Sequence, residues 1–190
     1  MKKKFWTSDK LLSLTALLVS LFTLIVFIYQ TNLIRQQQFM SVYPYLNLSN
    51  EYGGTLNYSY VLSNEGIGPA IIETVKITSP KNEVFNDFVD YVNSEISTQD
   101  SIWYFHSNLK KGKLIPSNQK INLIQLVNKE RLLAIGINQT DNLPTNNINN
   151  SRRLYQILNN DSLKVEIIYT SVYGEKWSLK SNTNAPVKLE

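Results

Sequence analysis

The side chains this chain lacks narrow the chemistry it can perform. It has no cysteine and one histidine, His106. Thiolate catalysis, disulfides and Cys-based metal sites fall away together. Zinc sites of the His type and Ser-His-Asp triads need imidazole, so each such scheme would have to share His106. That residue closes the aromatic run Ile102-Trp103-Tyr104-Phe105-His106, which reads as a strand. Paired carboxylates could still hydrolyse glycosides without histidine. The candidates are Asp87, Asp90 and Glu95. Asp87 and Asp90 are three residues apart and would share one helical face. Beside Phe85 and Phe88 they read as the wet side of an amphipathic helix. Gly66-Ile67-Gly68 lacks the third glycine of a dinucleotide fingerprint, and no phosphate-loop motif occurs. No catalytic, metal-ligating or cofactor-binding residue is expected, and no cofactor. Trp103, Tyr104 and Trp177 remain as rings that could stack on a ligand such as a sugar.

Charge and composition narrow the classes further. The net charge is +4. Lys2, Lys3, Lys4 and Lys10 against Asp9 supply most of it, which leaves the rest of the chain nearly balanced. A nucleic-acid-binding domain concentrates positive charge on one face, so no nucleic-acid partner is expected. The 22 asparagines are scattered along the chain. Scatter of this kind reads as base-composition bias more readily than as a carbohydrate-facing surface.

The elements that must position any site begin with residues 11–29, LLSLTALLVSLFTLIVFIY. This run has no charge, Gly or Pro. At ~1.5 Å per residue it spans about 28 Å, close to the ~30 Å hydrocarbon core of a bilayer. Lipid offers open backbone groups no partner, so the span must be helical. It is longer than a typical signal-peptide core, and the following QTNLIRQQQFM has no small-residue cleavage pattern, so an uncleaved signal anchor is expected. Four lysines precede the span, and only Arg35 follows closely. The tail 1–10 should stay cytoplasmic and the C-terminal domain should lie outside the cytoplasm, in the periplasm if the cell is Gram-negative. Ser13, Ala16, Ser20 and Thr23 fall on one helical face, where small residues let a second helix approach. A homo-oligomer through this helix is one consequence. Residues 30–42 continue as a helical stalk, with the domain boundary near Tyr43, which precedes Pro44.

Residues 43–190 carry strand signals. In 55–63, Leu56, Tyr58, Tyr60 and Leu62 alternate with Asn57, Ser59 and Ser63, which implies one buried and one wet face. The runs 162–171 and 175–181 alternate likewise, and Val172-Tyr173-Gly174 between them reads as a hairpin turn. Further strands are expected at 43–50, 69–79, 102–106 and 120–127, with 132–137 ambiguous. Helical spacing marks 83–94 and 151–159, and the intervening 140–150 reads as a polar loop. About seven strands and two short helices point to a mainly β fold, a β-sandwich with one or two helical insertions.

The segment LSNEGIGPAIIETVKI, residues 62–77, runs from strand through Asn64, Gly66, Gly68 and Pro69 into strand again. The glycines would permit positive φ in this turn. The segment resembles the Asn-x-Gly-x-x-Pro-Ala hairpin of bacterial immunoglobulin-like adhesion and cell-surface domains. VEIIYTSVYGEKW, residues 165–177, is similar to the final hairpin of membrane-anchored bacterial proteins that carry one such domain. The resemblance spans roughly residues 43–80 and 160–181. It implies an immunoglobulin-like β-sandwich and a location, and no reaction. The expectation is a non-enzymatic module, anchored in the lipid bilayer of the bacterial cell envelope, that binds another envelope protein. A glycan- or cell-wall-binding module and an envelope hydrolase using paired carboxylates are the alternatives.

Overall fold

The computed structural model describes residues 8–96, 102–137, 146–183 and 185–189. Residues 1–7 of the basic tail and 140–145 of the expected polar loop lie outside the described residues, while residues 148–150 of that loop are helical, the helix expected over 151–159 starting earlier because Asn147 caps it. The chain divides between Ser41 and Val42 into two compact units.

The first unit is one helix, α1 (Ser8–Met40), 33 residues without a break. It is long and apolar enough to cross a membrane, and none of its side chains is buried. Four of its hydroxyls are satisfied within the helix. Ser13, Thr15, Thr23 and Thr31 each donate back to a carbonyl of the same helix, those of Asp9, Leu12, Val19 and Phe27.

The second unit mixes helix and strand around two antiparallel sheets. In chain order it comprises β1 (Leu46–Glu51), β2 (Ser59–Asn64), β3 (Ala70–Thr78), β4 (Val84–Phe85), α2 (Phe88–Glu95), β5 (Tyr104–His106) and β6 (Leu114–Ile115). There follow β7 (Lys120–Leu126), α3 (Lys129–Ala134), α4 (Ile148–Leu158), β8 (Lys164–Thr170), β9 (Lys176–Lys180) and β10 (Val187–Lys188). One sheet has the order β1-β2-β7-β5, the other β10-β9-β8-β3-β4, with β6 also paired to β3. Leu46, Leu62 and Leu126 from the first sheet share one core with Ile72, Val165 and Ile167 from the second. Phe88, Tyr91 and Val92 of α2 and Leu154, Ile157 and Leu158 of α4 extend that core.

Two β-bulges keep the apolar residues pointing inward. In β3 the alternation Ala70, Ile72 slips by one residue to Val75, Ile77. The pairing with β8 slips at the same place, Ile72 opposite Tyr169 and Thr74 opposite Ile168, so Glu73 is the extra residue. In β7 the slip falls between Ile121 and Ile124. Asn122 pairs with Val61 and Ile124 with Tyr60, leaving Leu123 as the extra residue. A bulge inserts one residue and restores phase, so both halves of each strand serve the same core.

The structure departs from the sequence reading in four further places. The strand expected from residue 55 begins at Ser59, because Thr55 and Tyr58 form turn bonds instead, Thr55 N–H to the Tyr52 carbonyl and Tyr58 N–H to that of Thr55. Nor does β2 have a wet face: all six residues are buried. Its outer residues are short, Ser59 lying between Glu51 and Gln125 and Ser63 between Asn47 and Lys120. Lys120, beside Ser63, pairs with Glu51, beside Ser59, at 2.7 Å. That ion pair crosses the strand over Val61, which is 0% exposed.

Next, the helix expected over 83–94 begins only at Phe88, because Val84 and Phe85 pair with Thr78 and Ile77 as β4. The turn between them is held by the Ser79 hydroxyl, which accepts from the N–H groups of Lys81 and Glu83. The ambiguous 132–137 belongs to a third helix, α3. The Asn128 side chain caps its start by accepting from the Arg131 N–H, and Gly136 follows its end at φ +83.

The fourth departure concerns Gly66 and Gly68. Neither has a positive φ. They are glycines because another stretch of backbone lies against them. A β-carbon on Gly66 would sit 2.3 Å from the Tyr43 carbonyl oxygen, and one on Gly68 would sit 1.8 Å from that of Val42. Between these glycines and Ile115–Pro116 lies the Asn64 side chain, 1% exposed. Its Oδ1 accepts from the N–H groups of Tyr45 and Gly66. Its Nδ2 donates to the carbonyls of Gly68, Ile115 and Pro116.

Burial also tunes the core tyrosines. Desolvation, with Glu95 adding to it, pushes the Tyr91 phenol up to about 12. Burial raises Tyr58, Tyr60 and Tyr169 further still. A phenol whose folded value exceeds its unfolded value of about 10 holds its proton more tightly in the fold. Its contribution is complete below about pH 10 and is lost as pH rises toward the folded value. Thermal melts followed by circular dichroism should therefore give a midpoint that is steady from about pH 8 to about pH 10 and then falls. A midpoint unchanged through about pH 12 would contradict this. At neutral pH, Asn64→Ala and Gly68→Ala should each cost more than about 3 kcal/mol in denaturant titrations, the first by stranding buried backbone groups and the second by overlap.

Candidate functional site

The stacking rings expected from the sequence do not meet. Trp103 precedes β5 at the edge of the first sheet and is 50% exposed. Its backbone N–H donates to Asn146 Oδ1, and its carbonyl accepts from Asn146 Nδ2. Tyr104 packs against the core, and its hydroxyl donates to Asn93 Oδ1 on α2 at 2.6 Å. Trp177 stands on β9 in the other sheet. It meets Tyr43 edge-to-face at 4.7 Å, and the Lys188 ammonium lies 5.8 Å from its ring centre. Among the described residues, Trp103 alone of the three presents an open, well-exposed ring.

Two of the three carboxylates, Asp87 and Glu95, have structural partners, and Asp90 is exposed. Asp87 does not share a helical face with Asp90. It is the N-cap of α2, in extended backbone, and accepts from the Val89 N–H at 2.8 Å. Glu95 pairs with Lys81 at 3.0 Å. His106 is exposed on β5, with its ring 6.4 Å from that of Tyr104. No group of three or more His, Asp or Glu among the described residues could hold a metal ion. On α1, Ser13, Ala16, Ser20 and Thr23 are all exposed.

What the sequence reading missed is a polar cleft of about 350 Å³ between β1 and β9. Asn50 projects from β1, Asn159 and Asn160 from the end of α4, and Asn182 from the segment after β9, while Asn47 borders the cleft with its amide turned to the Glu65 carboxylate at 3.0 Å. These asparagines lie far apart in sequence and meet only because β1 of one sheet, the end of α4 and the end of β9 in the other sheet line the same cleft. Leu48, Leu158, Leu163 and Leu179 form apolar lining beneath them, with Tyr60.

The walls of the cleft are built rather than loose. Tyr58 donates to Asn50 Oδ1 at 2.7 Å, Asn50 Nδ2 donates to Asn159 Oδ1 at 3.2 Å, and Asn159 Nδ2 donates to the Tyr155 hydroxyl at 3.0 Å. Each of these two amides has four hydrogen-bonding positions and spends two, so each keeps one donor and one acceptor. Asn160 Oδ1 accepts from the Ser162 N–H, leaving both of its amide hydrogens. Polar convergence over an apolar floor is the general form of a small-molecule site. Only the abundance of asparagine hinted at it.

Comparison of the chain with protein-family models, curated proteins and solved structures gave no match.

A cap and a bystander separate by mutation. Asp87→Ala should cost about 1 kcal/mol by loss of the cap. Asp90→Ala, on the surface of the same helix, should stay within about 0.5 kcal/mol. Equal losses at both positions in urea titrations would put the cap assignment in error.

Proposed function

We propose that this protein is a non-enzymatic interaction module tethered to a membrane of the bacterial cell envelope, with the second unit outside the cytoplasm and docked to another envelope protein. The observation that carries the reading is α1, a helix of 33 residues whose stretch 11–29 is apolar and uncharged, followed directly by a folded unit. An apolar surface of that length is stable only in lipid or against other apolar helices. The lysines at 2, 3, 4 and 10 favour a cytoplasmic N-terminus. The antiparallel sheets are compatible with an immunoglobulin-like sandwich, and the Asn64–Ala70 segment supports that assignment. The structural duties of Asp87 and Glu95 leave the hydrolase reading without support.

A second reading is favoured by the cleft between β1 and β9. Neutral amides over leucines suit a glycan or cell-wall polymer, a ligand rich in hydroxyls and poor in charge.

The tether is tested by fusing alkaline phosphatase after Glu190 and fractionating cells. The expected result is an active phosphatase in the membrane fraction that resists extraction by high salt or alkali. Release of the full-length chain into the soluble fraction, or an inactive fusion with an intact C-terminus, would remove this reading. Paired substitutions Ala16→Leu and Ser20→Leu should weaken self-association in a membrane reporter, the behaviour expected if that face packs against a second copy.

A further inference from the structure

We infer that the cleft between β1 and β9 binds a short neutral oligosaccharide, held by the Tyr60 hydroxyl at its floor and by the asparagine amides at its walls. The inference rests on the glycan-binding reading and gives it a site.

Tyr60 is the telling residue. It is 4% exposed, its ring packs on Phe88 at 5.5 Å, and it lines the cleft. Among the described residues no group hydrogen-bonds its hydroxyl. The hydroxyl is not itself a buried atom left without a partner, as Asn108 Oδ1 and Trp177 Nε1 are, so its oxygen opens into the cleft and is available there as both donor and acceptor. The hydroxyl of its neighbour Tyr58 bonds to Asn50. The Tyr60 hydroxyl instead faces space shared with Asn50, Asn159 and Asn160. A ligand that completes it must offer a hydroxyl or another neutral polar atom.

Charge narrows the ligand. The one cation in the lining, Lys180, lies 3.4 Å from the Glu166 carboxylate. The one carboxylate, Asp161, adds negative charge. Phosphate or a carboxylated ligand would meet no free cation, although such ligands are usually held by one. Amides that each offer both a donor and an acceptor match vicinal hydroxyls, which are themselves donor and acceptor. Asn50 and Asn159 are already fixed by their tyrosine partners, so little ordering is left for binding to accomplish. The volume lies at the small end of the usual range of roughly 300–1,000 Å³ and limits the bound portion to a short stretch of sugar.

The test uses the full chain in nanodiscs, titrated calorimetrically with chitotriose, cellotriose and maltotriose. At least one should bind saturably. Tyr60→Phe and Asn182→Ala should each weaken that binding by roughly five- to tenfold, the effect of about one neutral hydrogen bond. Trp103→Ala should leave it unchanged. Tyr60→Phe should melt at or above the temperature of the parent protein, because the hydroxyl it removes serves no other group in the fold. A Tyr60→Phe variant that loses both stability and binding would mark the hydroxyl as structural and overturn the assignment. Binding that survives both cleft substitutions but is lost in Trp103→Ala would overturn the site and keep the glycan reading. Absence of binding by all three sugars up to about 10 mM would overturn both, that concentration being weaker than most specific recognition.

Discussion

The second unit depends on one buried amide. Asn64 sits at the end of β2 and meets five backbone groups of three separate segments, Oδ1 accepting from two N–H groups and the two amide hydrogens being shared among three carbonyls. Those segments are the chain leading into β1, the turn from β2 to β3, and the link from β6 to β7. Each would otherwise carry unpaired backbone groups into a dry interior, at about 1–3 kcal/mol apiece. The two glycines of the same turn let the incoming backbone come close enough to be held. From the second sheet the Tyr169 hydroxyl reaches the Pro44 carbonyl at 3.4 Å and the Leu46 N–H at 3.5 Å. One short stretch, residues 44–46, is thereby fixed to both sheets, and the register of β1 follows from it.

The asparagine–glycine segment could be singled out from sequence, but its purpose was misread. Paired glycines in a turn usually signal left-handed backbone, and sequence supplies no way to see a second chain segment pressing on them. What distinguishes the cases is long-range proximity, here between Gly68 and Val42. Gly174, with nothing near its missing side chain and φ +82, is a turn glycine of the ordinary kind.

Periodicity carried most of the strand assignment because the two faces of β3, β7 and β8 differ in polarity. It failed at β2 because short serines and a valine on a central strand are covered by their neighbours. Alternation reports side-chain polarity, whereas burial depends on what flanks the strand. The slips in β3 and β7 were visible as breaks in alternation at Ile72–Val75 and Ile121–Ile124. An inserted residue is the only local change that keeps both halves of a strand on one core, so those breaks amount to a sequence signature for the bulges. The two-residue strands β4, β6 and β10 have too few residues for any period to register.

The site was less legible than the fold for a related reason. Aromatic type drew attention to Trp103, Tyr104 and Trp177, yet a binding surface requires side chains to converge, and these three belong to different sheets or different faces. Asparagines at positions 50, 159, 160 and 182 have no pattern along the chain. They become a set only once β1 and the end of β9 line one cleft, and β1 is placed by Asn64 and Tyr169. The same restraints that settle the register of β1 set Asn50 opposite Asn159 and leave the Tyr60 hydroxyl opening beside them. A change in that register by one residue would turn Asn50 outward and Ser49 inward. The cleft is therefore a consequence of how the first strand is seated, and its chemistry cannot be separated from the packing that holds residues 44–46.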